Sequence, residues 1–217
     1  MPTTALPPTV TVICHPLVQV KLTRLRDERT PPGEFRARLT EIAALLVFEA
    51  TRDLATLSDC IRTPLAAYDG AVLARPIVVV PILRAGLGMM DGMLPLLGGA
   101  SVGHIGMRRD ESTHLPACYY YNMPSQLPEA DVIVADPMLA TGHSASEAIA
   151  KLKKSGATRI RFVCVVSCPE GLAHMAAAHP DVRVFTAEVD AGLDDRAYIV
   201  PGLGDAGDRY FGTVPPG

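Results

Sequence analysis

One run of residues carries the strongest chemical signal in the chain: Asp136, Pro137, Met138, Leu139, Ala140, Thr141, Gly142, His143 and Ser144. It follows the apolar stretch Val132 to Ala135 and opens a stretch of helical spacing that reaches Lys154. A strand that passes through a small-residue turn into a helix leaves the first main-chain N–H groups of that helix without internal partners. They point outward with the positive end of the helix dipole, which suits a phosphate. Thr141 and Ser144 add hydroxyl donors, and the Asp136 carboxylate can accept hydrogen bonds from sugar hydroxyls. For an arbitrary loop the plainer reading is that Thr141 or Ser144 caps a helix and Asp136 ends a strand.

Two other phosphate signatures are excluded. The chain has no Gly-Lys dipeptide and so no P-loop, and Gly86 and Gly88 are followed by Asp91 where a dinucleotide fingerprint needs glycine. A third pattern competes. Gly142, His143, Ser144, Ala145, Ser146 is one residue away from the nucleophile elbow of serine hydrolases, with His174 or His179 as the base. That reading lacks the second glycine and leaves Asp136 without a role.

The elements that must position these residues show a regular rhythm from Pro76 onward. Short apolar runs, Ile77 to Ile82, Ser101 to Met107, Val132 to Asp136, Ile160 to Ser167 and Val182 to Ala187, alternate with helical patterns at Gly88 to Leu97, Ser144 to Lys154 and Glu170 to Ala178. This alternation predicts an α/β fold, a parallel sheet flanked by helices. Ligands in such sheets bind beyond the carboxyl ends of the strands, where Asp136 stands. The first 70 residues read as an irregular arm with two helices, one after Pro16 and a longer one starting near Pro31 and Pro32 with Thr30 as its cap. Phe35, Leu39, Ile42, Leu46 and Glu49 form a stripe on the second, a packing face rather than a chemical one.

Composition narrows the class. The chain has 217 residues, 48% of them apolar, but no run of about eighteen is free of charge or turn residues, so a membrane span is not expected. MPTTALPPTV lacks the marks of a secretion signal, and five cysteines without a CxxC pair fit reduced thiols, so the expected compartment is the cytoplasm. A net charge of −3 without Lys/Arg runs argues against a nucleic-acid partner or a membrane surface.

DPMLATGHSA, Asp136 to Ala145, resembles the phosphoribosyl-diphosphate loop of uracil phosphoribosyltransferases. PILRAGLGMMDG, Pro81 to Gly92, and YIVPGLGDAGDRYFGT, Tyr198 to Thr213, are similar to that family's diphosphate-arginine segment and uracil loop. Weaker likeness covers His15 to Ala55, Arg109 to Glu111 and Cys168 to Gly171. The resemblance implies the type I phosphoribosyltransferase fold in a single domain: a helical arm over 1–70, a core over 71–187 and a base-binding hood over 188–217. It implies transfer of phosphoribosyl from 5-phosphoribosyl 1-diphosphate (PRPP) to uracil, giving UMP and diphosphate, with magnesium (Mg2+) and no assigned protein ligand for the metal. By motif, Asp136 to Ser144 hold the ribose and 5-phosphate, and Arg84 and Arg109 approach the diphosphate. Ile199, Gly204, Asp205 and Ala206 form the uracil end, with Asp205 also reaching PRPP; Asp136, Arg84, Arg109 and Asp205 are the catalytic set. A homodimer or higher homo-oligomer is expected, and GTP is an effector to be tested.

The chemistry agrees with those roles. As the bond to diphosphate breaks, positive charge grows on the ribose and negative charge on the leaving group, and each well-placed cationic donor stabilises the latter by about 3 kcal/mol. Uracil is small and neutral, and a glycine-rich loop such as Gly202 to Gly207 lets main-chain donors and acceptors approach it. Departures from the family pattern are His143, where glycine or asparagine is common, Arg108 in place of an aromatic, and Asn122 to Gln126 in place of a stretch that often carries lysine. A noncatalytic regulator on the same fold, sensing the sugar diphosphate or UMP, is the second function class.

Overall fold

A computed structural model describes residues 6–109 and 116–213, without the side chains at 109 and 116. Strand β1 (Val10–Val12) leads to helices α1 (Pro16–Arg26) and α2 (Pro32–Ala50), each opened by a proline whose missing N–H is no loss in a first turn. A hairpin follows, β2 (Thr56–Arg62) and β3 (Ala67–Leu73). Strand β4 (Ile77–Leu83) passes through a 3-10 turn, Ala85–Met89, into one turn of helix, α3 (Met90–Met93). Strands β5 (Ser101–Val102), β6 (His104–Arg109), β7 (Pro116–Asn122), β8 (Asp131–Ala135) and β9 (Met138–Leu139) precede helix α4 (His143–Lys154). Then come β10 (Arg159–Ser167), α5 (Pro169–Ala178), β11 (Arg183–Val189), the short pair β12 (Gly192–Leu193) and β13 (Ile199–Val200), and helix α6 (Ala206–Phe211).

The central sheet runs β1-β11-β10-β8-β4-β6-β7, and each of these neighbouring pairs is parallel except β6 with β7. Its inner strands are buried on both sides, and the period of two sends successive side chains into two different cores. Val79, Ile133 and Val163 pack with α1 and α2, while Val78, Val80, Val132, Val134 and Phe162 pack with α4 and α5. The α2 stripe does what its spacing predicts, with Phe35, Leu39, Ile42 and Leu46 fully buried. After β4 the chain continues to β6 on one side, then returns to build β8, β10 and β11 on the other. The crevice between the carboxyl ends of β4 and β8 is therefore a topological switch point.

Several expectations need correction. The arm is less irregular than expected, because β1 joins the sheet beside β11 and residues 56–73 form the hairpin. Thr30 does not cap α2; its hydroxyl donates to the Arg24 carbonyl (2.7 Å) and Pro31 occupies the cap position. The helix expected from Gly88 to Leu97 shrinks to the 3-10 turn and α3. Pro95 interrupts the helical ladder there, and Gly92 lies so close to α2 that a Cβ would collide with the Thr40 carbonyl. Among the described residues no helix is long and apolar enough to cross a membrane.

Candidate functional site

Strand β8 delivers Asp136 to the switch point, and β9 continues in the same direction beside β10 before α4 begins. Gly142 is the N-cap of α4 with φ of 81°, a backbone that favours glycine, and no side chain caps the helix. Thr141 keeps part of the plainer reading, its Oγ1 accepting from the His143 N–H in a long contact of 3.5 Å, while Ser144 lies inside the first turn rather than at the cap. Asp136 is half-buried at the cleft floor. Burial pushes its carboxyl up to about 7, opposed by the Met138 N–H that donates to its Oδ1 at 3.3 Å. A group so poised accepts sugar hydroxyls once ionised.

The loop is braced from beneath by the start of α5. The Cys168 thiol donates to the Ala140 carbonyl (3.1 Å), and burial pushes that thiol up to about 11, which keeps the donor protonated. Gly171 lies against the same loop so closely that a Cβ would collide with the Ala140 carbonyl oxygen. The likeness of Cys168 to Gly171 to its family segment thus has a mechanical reason.

Opposite this loop, the segment after β13 contributes a wall of main chain. Gly202 and Gly204 have φ of 59° and 68°. Asp205 then starts α6, its Oδ1 accepting from the Asp208 N–H at 2.8 Å. The two walls enclose a cleft of about 270 Å³ that brings together Asp136, Met138, Leu139, Ala140, Thr141, Gly142, Ser144, Gly204, Asp205 and Ala206. Segments more than fifty residues apart in sequence meet there. Ala85, Ala145, Ala197, Tyr198 and Gly207 also line it. Of these, Gly207 belongs to the glycine-rich loop singled out from the sequence, whereas the methyl side chains of Ala85, Ala145 and Ala197 carry no chemical signal; Ala197 stands out only by its φ of 65°.

Other expected residues lie elsewhere. Pro137 is buried, its carbonyl bonded to the Val165 and Val166 amides of β10. The His143 side chain is exposed and packs edge-on against His174, ring centroids 4.4 Å apart, rather than lining the cleft. The Ile199 side chain belongs to the core. Arg84 follows β4 and pairs with Asp208 at 3.3 Å, next to the cleft residues Ala85 and Gly207. Arg109 ends β6, and its side chain lies outside the described residues, as do Asp110 and Glu111.

Neither His174 nor His179 serves Ser144 as the hydrolase reading requires. His174 packs on His143, and His179 meets Ser146 instead. His179 Nε2 lies 3.0 Å from the Ser146 carbonyl, which only accepts, and Nδ1 faces the Lys153 ammonium at 3.3 Å, which only donates. The network therefore assigns the proton to Nε2, leaving that nitrogen no lone pair for a serine hydroxyl.

Solved structures place the fold. The chain matches a hypoxanthine-guanine phosphoribosyltransferase from Bacillus anthracis with a TM-score of 0.51 at 12% identity, over 73% of this chain and 80% of that one. At that identity the likeness establishes the fold alone. It matches a protein from Aquifex aeolicus with a TM-score of 0.90 at 34% identity, over 95% of this chain and all of that one, 100%. Sheet order and switch-point cleft together define the type I phosphoribosyltransferase class. A profile described as uracil phosphoribosyltransferase matches residues 12–213. Proteins of that name from Myxococcus xanthus and Alkaliphilus oremlandii are each 53% identical to it, covering 95% and 94% of this chain and 98% of each relative. The chain belongs to the uracil phosphoribosyltransferase family.

Proposed function

We propose that the protein transfers the phosphoribosyl group of PRPP to uracil, giving UMP and diphosphate. The observation that carries this reading is one cleft in which the glycine-led start of α4 and Asp136 face the main chain of Gly204 to Gly207. The α4 amides with Thr141 and Ser144 hold the 5-phosphate, and Asp136 holds the ribose hydroxyls. Gly204, Asp205 and Ala206 read the base. Asp205 Oδ1 caps α6, and among the described residues Oδ2 has no hydrogen-bond partner, which leaves an acceptor on a residue that lines the cleft.

In the reaction the bond from the anomeric carbon to the diphosphate oxygen breaks and a bond from that carbon to uracil N1 forms, with loss of the N1 proton. Arg84 and Arg109 oppose the negative charge that grows on the departing oxygens. Among the described residues no three acidic, histidine or cysteine side chains converge as a metal cage. The cleft carries the carboxylates of Asp136 and Asp205, hard oxygen donors of the kind magnesium takes, and an ion held mainly by the substrate's own phosphates would supply further charge neutralisation there. Incubating the protein with PRPP, magnesium and each free base should yield UMP and diphosphate from uracil. Absence of nucleotide with every base overturns the reading and favours a ligand sensor.

We also infer a homo-oligomer. The hairpin of β2 and β3 has one apolar face, with Leu57 opposite Val72 and Ile61 opposite Tyr68, and all four are exposed. A face of that kind on an otherwise packed fold suits a second copy of the chain. Sedimentation of the wild type against Leu57→Asp should show the variant lighter; equal mass overturns the inference.

A further inference from the structure

The loop that follows β13 is irregular, yet its main chain is held from outside the cleft. Asp190, just past β11, has a side chain only 3% exposed and pairs bidentately with Arg26, the last residue of α1. Nη2 lies 2.6 Å from Oδ1, and Nη1 lies 2.9 Å from Oδ2. Both polar groups of Gly202 are tied into this pair. Its N–H donates to Asp190 Oδ2 (2.9 Å) and its carbonyl accepts from Arg26 Nη1 (2.8 Å). The next carbonyl, of Leu203, accepts from Arg209 Nη1 at 2.9 Å, while Nη2 of the same guanidinium donates to the Asp27 carbonyl at 2.6 Å. The Asp190 amide is itself bonded to the Ser167 carbonyl at the end of β10. None of the three charged side chains lines the cleft.

We propose that Arg26, Asp190 and Arg209 are positioning residues that set base specificity by clamping Gly202 and Leu203, so that Gly204 to Ala206 present one fixed pattern of donors and acceptors to the base. This rests on the reading of the cleft given above. Short polar groups on a loop read a ligand only if the loop holds its place, and a displacement of an ångström is enough to lose the match. The guanidiniums and the carboxylate engage the main chain of Gly202 and Leu203, which leaves recognition to the residues that follow. The clamp also reaches past the loop: it joins the end of α1 to the ends of β10 and β11, elements that share one buried core. A bidentate fork is needed, because a lysine offers a point charge in place of two parallel N–H groups.

The test is steady-state kinetics of Asp190→Asn and Arg26→Lys, each substrate varied with the other saturating, together with cytosine as a competing base. The Michaelis constant for uracil should rise by about tenfold or more while that for PRPP stays within about twofold, and discrimination against cytosine should shrink. Should Asp190→Asn fail to fold, Arg209→Lys keeps the Arg26–Asp190 pair intact and should give the same split through Leu203. Equal movement of both Michaelis constants, or lowered thermal stability with unchanged uracil constant and discrimination, overturns the proposal and leaves a purely structural ion pair. A wild-type protein that makes no UMP overturns instead the activity on which the proposal rests.

Discussion

The Arg84 guanidinium lies 3.3 Å from the Asp208 carboxylate, joining the end of β4 to the first turn of α6 beside the cleft. The Arg84 side chain is 58% exposed, so the pair is worth about 1 kcal/mol or less, and Asp208 also accepts the Thr213 hydroxyl at 2.6 Å. A diphosphate can therefore draw the arginine away at little cost. Arg84→Ala is expected to lower turnover by about a hundredfold with a much smaller change in uracil affinity. Rapid-quench and steady-state measurements check it, and a variant that loses only uracil affinity removes Arg84 from the leaving group.

Asp136→Asn should leave a folded protein with turnover down by about a hundredfold or more. Burial pushes the folded carboxyl up to about 7 from an ordinary 3.8, so the fold holds a proton that the unfolded chain releases. Ionisation therefore weakens the fold as pH rises from 3.8 through about 7, and the neutral amide escapes this loss. Thermal melts should show the variant at least as stable as wild type at pH 8. For wild type, affinity for PRPP should tighten with rising pH through about 7 beyond what the variant shows; matching pH profiles would exclude Asp136 from ribose binding.

Gly171→Ala places a methyl group against the Ala140 carbonyl, a backbone atom that cannot swing aside. The 5-phosphate loop must shift, and the expected result is a raised Michaelis constant for PRPP with a melting temperature several degrees lower, consistent with a loss of about 1–3 kcal/mol. Unchanged kinetics in a destabilised variant would show that the brace serves stability alone.

Uracil should be preferred over cytosine by about a thousandfold, because exchanging a carbonyl for an amine and losing a ring N–H leaves main-chain groups facing wrong partners. Competition between the two bases at equal concentration measures this directly. Comparable use of both refutes main-chain reading of the base.

His143→Ala should change neither turnover nor the pH dependence of the PRPP constant by more than about twofold, since the imidazole packs on His174 outside the cleft and only its backbone belongs to the loop. A flattened pH profile in the variant would show that the ring does reach the phosphate.

The parallel sheet was legible because buried strands such as Ile77 to Leu83 are continuous apolar runs, and Asp136 was legible because it ends one of them. The hairpin was not. Its alternation is broken by Asp59 and Gly70 on the apolar face, and that face meets no core in its own chain. Strand β7 carries the tyrosines 119 to 121, exposed at the sheet edge, where periodicity has little burial to report. Within the site, the loop from Asp136 to Ser144 declares itself through small residues between strand and helix. Asp190 and Arg26 do not, because a salt bridge spanning 164 residues leaves no local pattern.

The exposed hairpin ties the protein's durability to how much of it is present. A twisted two-strand ribbon with an uncovered apolar face and free edges is a template for indiscriminate pairing. If a second copy covers it, each dilution uncovers some of that face by mass action. Loss of activity in dilute stocks would then begin at Leu57 and Tyr68, which do not line the cleft, and a carrier protein that coats apolar surfaces would preserve activity without touching it.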